Sequence, residues 1–141
     1  MQHVKQFLRL SAEDRQTLLQ AAVSLLLIQL GLRCLSLGQV QQVVSRVLWR
    51  STSAPPARRV AWAIDSAARR VRGSTCLARA LAGQVLLAHY GYNARLRIGV
   101  RKSNGAHALQ AHAWVTCDGE TLIGGPEVTH YTTLLNSELG F

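Results

Sequence analysis

The sequence predicts an α+β domain, with helices first and an antiparallel sheet after them. Three observations carry that prediction. Up to about residue 89, apolar residues recur at helical spacing or run on continuously. From Ala94 the period switches to two, as Ala94, Leu96, Ile98 and Val100 alternate with Arg95, Arg97, Gly99 and Arg101. Two hairpin signals, Asn104-Gly105 and Asp118-Gly119, then cut the remainder into short strands. Helices followed by strands define the α+β class.

Taken in order, Ser11 reads as the N-cap of a long helix, with Glu13 and Asp14 where acidic groups suit the helix dipole. Its apolar run from Leu18 to Leu32 has about the minimum length for a bilayer, but Gln20, Ser24 and Gln29 interrupt it. Membrane contact is therefore not the expectation. A helix apolar nearly all round must instead be covered by core or by a partner. A second helix spans about 37–49, and Arg50-Ser51-Thr52-Ser53-Ala54-Pro55-Pro56 breaks it. A third, about 57–71, buries Val60, Ile64, Ala67 and Val71 and leaves Arg58, Arg59, Arg69 and Arg70 to solvent or to an acidic partner.

After Gly73 a helix runs over about 75–89, with Gly91 as its C′ residue. A strand over 94–101 follows, and then a turn at Lys102-Ser103-Asn104-Gly105. A strand over 106–117 sets Gln110, His112, Trp114 and Thr116 on one face, and Thr121-Leu122-Ile123 returns as a third. The tail after Pro126 has no strong period. The proline break separates an N-terminal helical region (1–54), for core cover or partner docking, from the core (55–141), within one compact domain.

Composition narrows the function. A hydrophobic fraction of 48% supports a packed core and argues against disorder. Sixteen Lys and Arg, all but two of them Arg, against seven Asp and Glu give a net charge of +9. That excess suits an acidic partner. Few aromatics, and no basic run interleaved with them, weigh against nucleic acid. Cys34, Cys76 and Cys117 are odd in number and widely spaced, which is no disulfide framework. With a polar start and no early cleavable apolar run, the expected location is the cytoplasm.

Cys76 falls in the first turn of its helix, where unpaired N–H groups and the dipole favour thiolate over thiol. His112 lies mid-strand between two alanines, which leave room for a thiol. Packing of the helix on the strand would unite them as a cysteine–histidine pair of the papain type. Cys76, His107, His112 and Cys117 lack the spacing of a zinc site, and no metal, nucleotide or other cofactor is expected.

Ser74-Thr75-Cys76-Leu77-Ala78-Arg79-Ala80-Leu81, Tyr90-Gly91-Tyr92, Leu96-Arg97-Ile98-Gly99-Val100-Arg101-Lys102 and Ala111-His112-Ala113-Trp114-Val115 resemble, in that order, the lasso peptide maturation leader peptidases. These are transglutaminase-like (papain-like) cysteine proteases, the peptidase half of the lasso peptide B protein. The resemblance is close over roughly 55–125. It implies a transglutaminase-like fold, with Cys76 as nucleophile and His112 as general base. It also implies a precursor peptide substrate, a separate leader-recognition protein, and a lasso cyclase that closes the ring after leader removal. The alternatives are a non-catalytic precursor-binding module of the same fold, or an acyltransferase using the same pair.

The family's histidine-orienting acid commonly follows the Asp-Gly hairpin. Here the aligned pair opposite His112 reads Gly124-Gly125. Asp118 is the nearest candidate for the third member, although a turn aspartate sits at the far end of the strand. Glu120, Glu127, a backbone carbonyl, a side-chain amide or a water are the other options. Gln110 and Trp114 share the His112 face and are candidate substrate-binding residues.

Overall fold

A computed structural model of the chain describes residues 2–47, 50–102, 109–125 and 131–138. Among these, helices α1 (Gln2–Leu8), α2 (Ala12–Cys34), α3 (Leu37–Val47), α4 (Ala57–Arg70) and α5 (Cys76–His89) precede strands β1 (Ala94–Lys102), β2 (Leu109–Cys117), β3 (Glu120–Ile123) and β4 (Thr132–Glu138). The strands form one sheet in the order β3-β2-β1-β4, with every pairing antiparallel. The α+β class is as the sequence predicts.

Local chemistry explains most of the boundaries. Ser11 Oγ accepts the Asp14 N–H at 3.1 Å and caps α2. Asp118 (φ 50°) and Gly119 (φ 80°) both adopt left-handed backbone, as a two-residue hairpin requires. Two elements carry no local signal, α1 and β4. In β4 the run Thr-Thr-Leu-Leu-Asn-Ser-Glu lacks alternation, and its pairing with β1 shifts register between Ile98 and Gly99. The Asn104-Gly105 turn, the start expected for the second strand at 106–108, His107 and Glu127 lie outside the described residues.

The core is built round α5. Ala78, Ala80, Leu81, Ala82, Gly83, Gln84, Leu86, Leu87 and Ala88 are buried, so this helix is covered on nearly every side. α2 and α4 pack against it, and so does the sheet. Ala94, Leu96, Ala113, Val115 and Ile123 join the same core as Leu25, Ile64 and Leu81. Small side chains permit this convergence: a Cβ on Gly83 would lie 2.1 Å from the Cδ1 of Ile123.

α2 buries Thr17, Ala21, Leu25 and Ile28 on one face and leaves Leu19, Val23, Leu27 and Leu30 exposed on the other. Its length and composition alone would allow it to cross a membrane. Its buried face belongs to the common core, and the Tyr90 hydroxyl at the end of α5 donates to Gln20 Oε1. The Tyr92 hydroxyl ties the following loop to the Pro55 carbonyl at 2.6 Å.

The close approach at Gly83 predicts energetic coupling. Gly83→Ala gains about 1 kcal/mol of helix propensity and loses about 1–3 kcal/mol to overpacking. Ile123→Val removes the methyl that collides and alone costs about 0.5–1.5 kcal/mol. Urea denaturation of both single variants and the double variant should give a coupling of about 1 kcal/mol or more, with Ile123→Val costing less in the Gly83→Ala background. Strict additivity would contradict the contact.

Candidate active site

The turn before Cys76 is anchored from three sides. Gly73 takes φ 76°, reversing the chain after α4. Ser74 Oγ donates to the Val71 carbonyl at 3.0 Å and receives a hydrogen bond from Gln29 Nε2 of α2 at 3.3 Å. Thr75 is the N-cap, its Oγ1 accepting the Ala78 N–H at 3.1 Å. Cys76 is thus the first residue of α5, half-buried against the core and free of any disulfide. One turn further on, Arg79 pairs with Asp65 of α4 at 3.7 Å and joins the two helices. Burial pushes the Asp65 carboxyl above the usual carboxylate range, outweighing the Arg79 and Arg69 charges that lower it.

His112 is half-buried on β2, directly opposite Gly99 of β1. By the alternation of the strand, Gln110, His112 and Trp114 project from the face opposite to Ala113 and Val115, which enter the core. Strand β3 pairs only with Val115–Cys117. Among the described residues, His112 therefore lies where β2 has no partner strand on that side. The ring's Nε2 is 2.8 Å from the Gly124 carbonyl oxygen. No hydrogen bond joins Cys76 Sγ to the ring among the described residues; such contacts often close only in the substrate complex.

The remaining candidates fall into place around that ring. Asp118 sits in the hairpin six residues along β2, roughly 20 Å of strand from His112. Its Oδ2 lies 4.0 Å from Cys117 Sγ. The structure does not bring it to the imidazole, because a hairpin turn occupies the end of the strand and His112 its middle. Glu120 is held elsewhere too, bridging to Arg58 of α4 at 2.8 Å. The group that meets the His112 ring is Gly124, through its backbone carbonyl. Gln110 Oε1 accepts from Arg101 Nε at 3.0 Å and stays exposed.

Trp114 is only 4% exposed and packs beside the imidazole. It stacks on His112 with ring centroids 6.2 Å apart. Tyr131 completes the cluster, 5.3 Å from the His112 ring and beneath the Arg101 guanidinium at 5.0 Å. Sequence reasoning missed Tyr131: it precedes a strand without alternation, and only the return of the chain beside β1 brings it here. Cys117 is buried, and burial pushes its thiol up, reinforced by the Asp118 and Glu120 charges.

Residues 19–136 match the Transglutaminase-like superfamily. The chain belongs to that superfamily, whose members are typically cysteine-dependent enzymes and include cysteine peptidases and acyltransferases. The match starts inside α2 and takes in part of β4, so it includes helices from before the proline break. No curated protein and no solved structure matches the chain.

The Asp65 environment predicts a pH dependence of stability. A folded state that holds a proton the unfolded chain has released loses stability as pH rises. The decline begins near the ordinary carboxyl value of 3.8 and ends above the raised one. Asp65→Asn should flatten this acid-range decline in urea denaturation. An unchanged slope would contradict the assignment.

Proposed function

We propose that the chain is a cysteine peptidase that cuts the leader from a ribosomally made lasso peptide precursor. Three features support the reading: membership of a superfamily rich in cysteine enzymes, the capped helix start that carries Cys76, and the order of motifs shared with the leader peptidases. The observation that carries it is the His112 ring held through Nε2 at the Gly124 carbonyl, with no hydrogen bond to Nδ1 among the described residues.

In this mechanism His112 takes the proton from Cys76 Sγ, and the thiolate attacks the scissile carbonyl. The oxyanion draws on the Cys76 backbone N–H, an unpaired donor at the start of α5. Collapse of the tetrahedral species breaks the C–N bond, and the imidazolium gives its proton to the leaving amine. Water, deprotonated by His112, then hydrolyses the thioester and restores both residues. The same reading assigns delivery of the leader to a separate recognition protein and ring closure to a lasso cyclase, in the cytoplasm. It calls for no metal or cofactor.

The test is precursor cleavage followed by mass spectrometry, with the recognition protein present. Cys76→Ala should keep its circular dichroism spectrum and lose about 10³-fold or more in rate. Undiminished cleavage would refute the nucleophile. A product heavier by a bound amine, in place of water, would mark an acyltransferase. A folded wild-type chain that binds precursor without cutting it would mark a binding module.

A further inference from the structure

We infer that the backbone carbonyl of Gly124 takes the place of a histidine-orienting acid and fixes His112 as the tautomer with a proton on Nε2, leaving Nδ1 as the proton acceptor. The catalytic part of this inference rests on the proposed peptidase function; the tautomer itself does not.

The argument begins with donors and acceptors. A carbonyl oxygen carries no proton, so the 2.8 Å contact to Nε2 is a hydrogen bond only when Nε2 is the donor. A neutral imidazole has one N–H, and placing it on Nε2 leaves the lone pair on Nδ1. In a serine–histidine–aspartate site the acid does two things: it selects the tautomer and it stabilises the imidazolium by charge. A carbonyl performs the first and, being uncharged, supplies less of the second.

The backbone geometry explains why a side chain is missing here. Gly124 has φ 117°, a conformation that L residues rarely adopt. A Cβ at this position would sit 2.4 Å from Trp114 Cβ and 3.0 Å from its Cα. Neither atom can move without moving β2 itself. An aspartate therefore does not fit at position 124, whereas a Cβ at Gly125 would meet nothing within 4 Å; at 124 the turn passes close enough for its carbonyl to reach the ring directly. On the neighbouring strand, a Cβ at Gly99 would lie 2.7 Å from Trp114 Cη2 and 2.8 Å from the Thr132 carbonyl oxygen. Two glycines thus bracket the tryptophan, one at its ring and one at its Cβ. Trp114, with Tyr131 against the imidazole, limits how the ring can turn. Gly124 and Trp114 are positioning residues, acting through His112.

Long-range proton–nitrogen correlation spectra of uniformly ¹⁵N-labelled protein read the tautomer without any enzymatic assay. The spectrum is recorded at a pH where the ring is neutral, and the His112 signals are assigned by their loss in His112→Gln. The expected pattern is a protonated Nε2 and a bare Nδ1. A proton on Nδ1, or the averaged pattern of a free imidazole, overturns the inference. Gly124→Ala should displace the carbonyl, move the spectrum toward the averaged pattern and lower kcat by about 10²-fold with KM little changed. If Gly124→Ala fails to fold, the wild-type spectrum alone still decides. The expected tautomer in a chain that cuts no precursor would refute the peptidase reading and leave the orientation by Gly124 intact. The opposite tautomer in an active chain would refute this inference alone.

Discussion

Everything in this molecule is arranged around a helix that three other layers must touch at once. α5 meets α2, α4 and the sheet, and the small residues Ala78, Ala80, Ala82, Gly83 and Ala88 let its neighbours come close. Large side chains there would hold the layers apart. The cost of the arrangement is tolerance: at Gly83 even one methyl group meets the Ile123 side chain. The same constraint fixes where the helix begins. With its body clamped, the residue at its start is held in place, and that residue is Cys76, tied further through Ser74 to Gln29 of α2. The N-terminal helices are therefore part of what positions the thiol.

The sheet makes a second use of close approach on its other face. Gly99 and Gly124 admit Trp114, Trp114 underlies His112, and the Gly124 carbonyl meets the ring nitrogen. Each step depends on the one before it. A bulkier residue at 99 would push the indole, and a Cβ at 124 would push the carbonyl. The group facing the imidazole thus belongs to the backbone, in a superfamily typically made of cysteine-dependent enzymes.

Much of this was legible in the sequence, and the illegible parts share one cause. Ser11, Gly91 and Asp118-Gly119 mark boundaries by local chemistry, and the switch of period at Ala94 marks the sheet. Counting back from the Asp118-Gly119 hairpin puts the pair Gly124-Gly125 near His112. What that count cannot show is the direction of a carbonyl, because side-chain letters say nothing of backbone orientation. Side-chain letters therefore offer Asp118 only as the nearest candidate for the third member, and its turn position holds it away from the ring. The enclosure of Trp114 is not legible either, because it depends on Gly99 across the sheet and on Tyr131 from a distant segment. β4 escaped detection for a related reason: its pairing with β1 is irregular, and no alternation announces it.

The central claim is that His112 activates Cys76, and the chain holds its own control. Cys34 is exposed and Cys76 only half-buried, so simple accessibility would make Cys34 the faster to react. Alkylation with iodoacetamide at neutral pH, quantified site by site by peptide mass spectrometry, separates activation from exposure. The account predicts that Cys76 is modified faster than Cys34 and that His112→Ala reverses the order. Faster modification of Cys34 in the wild-type chain, with Cys76 indifferent to loss of the imidazole, would contradict it.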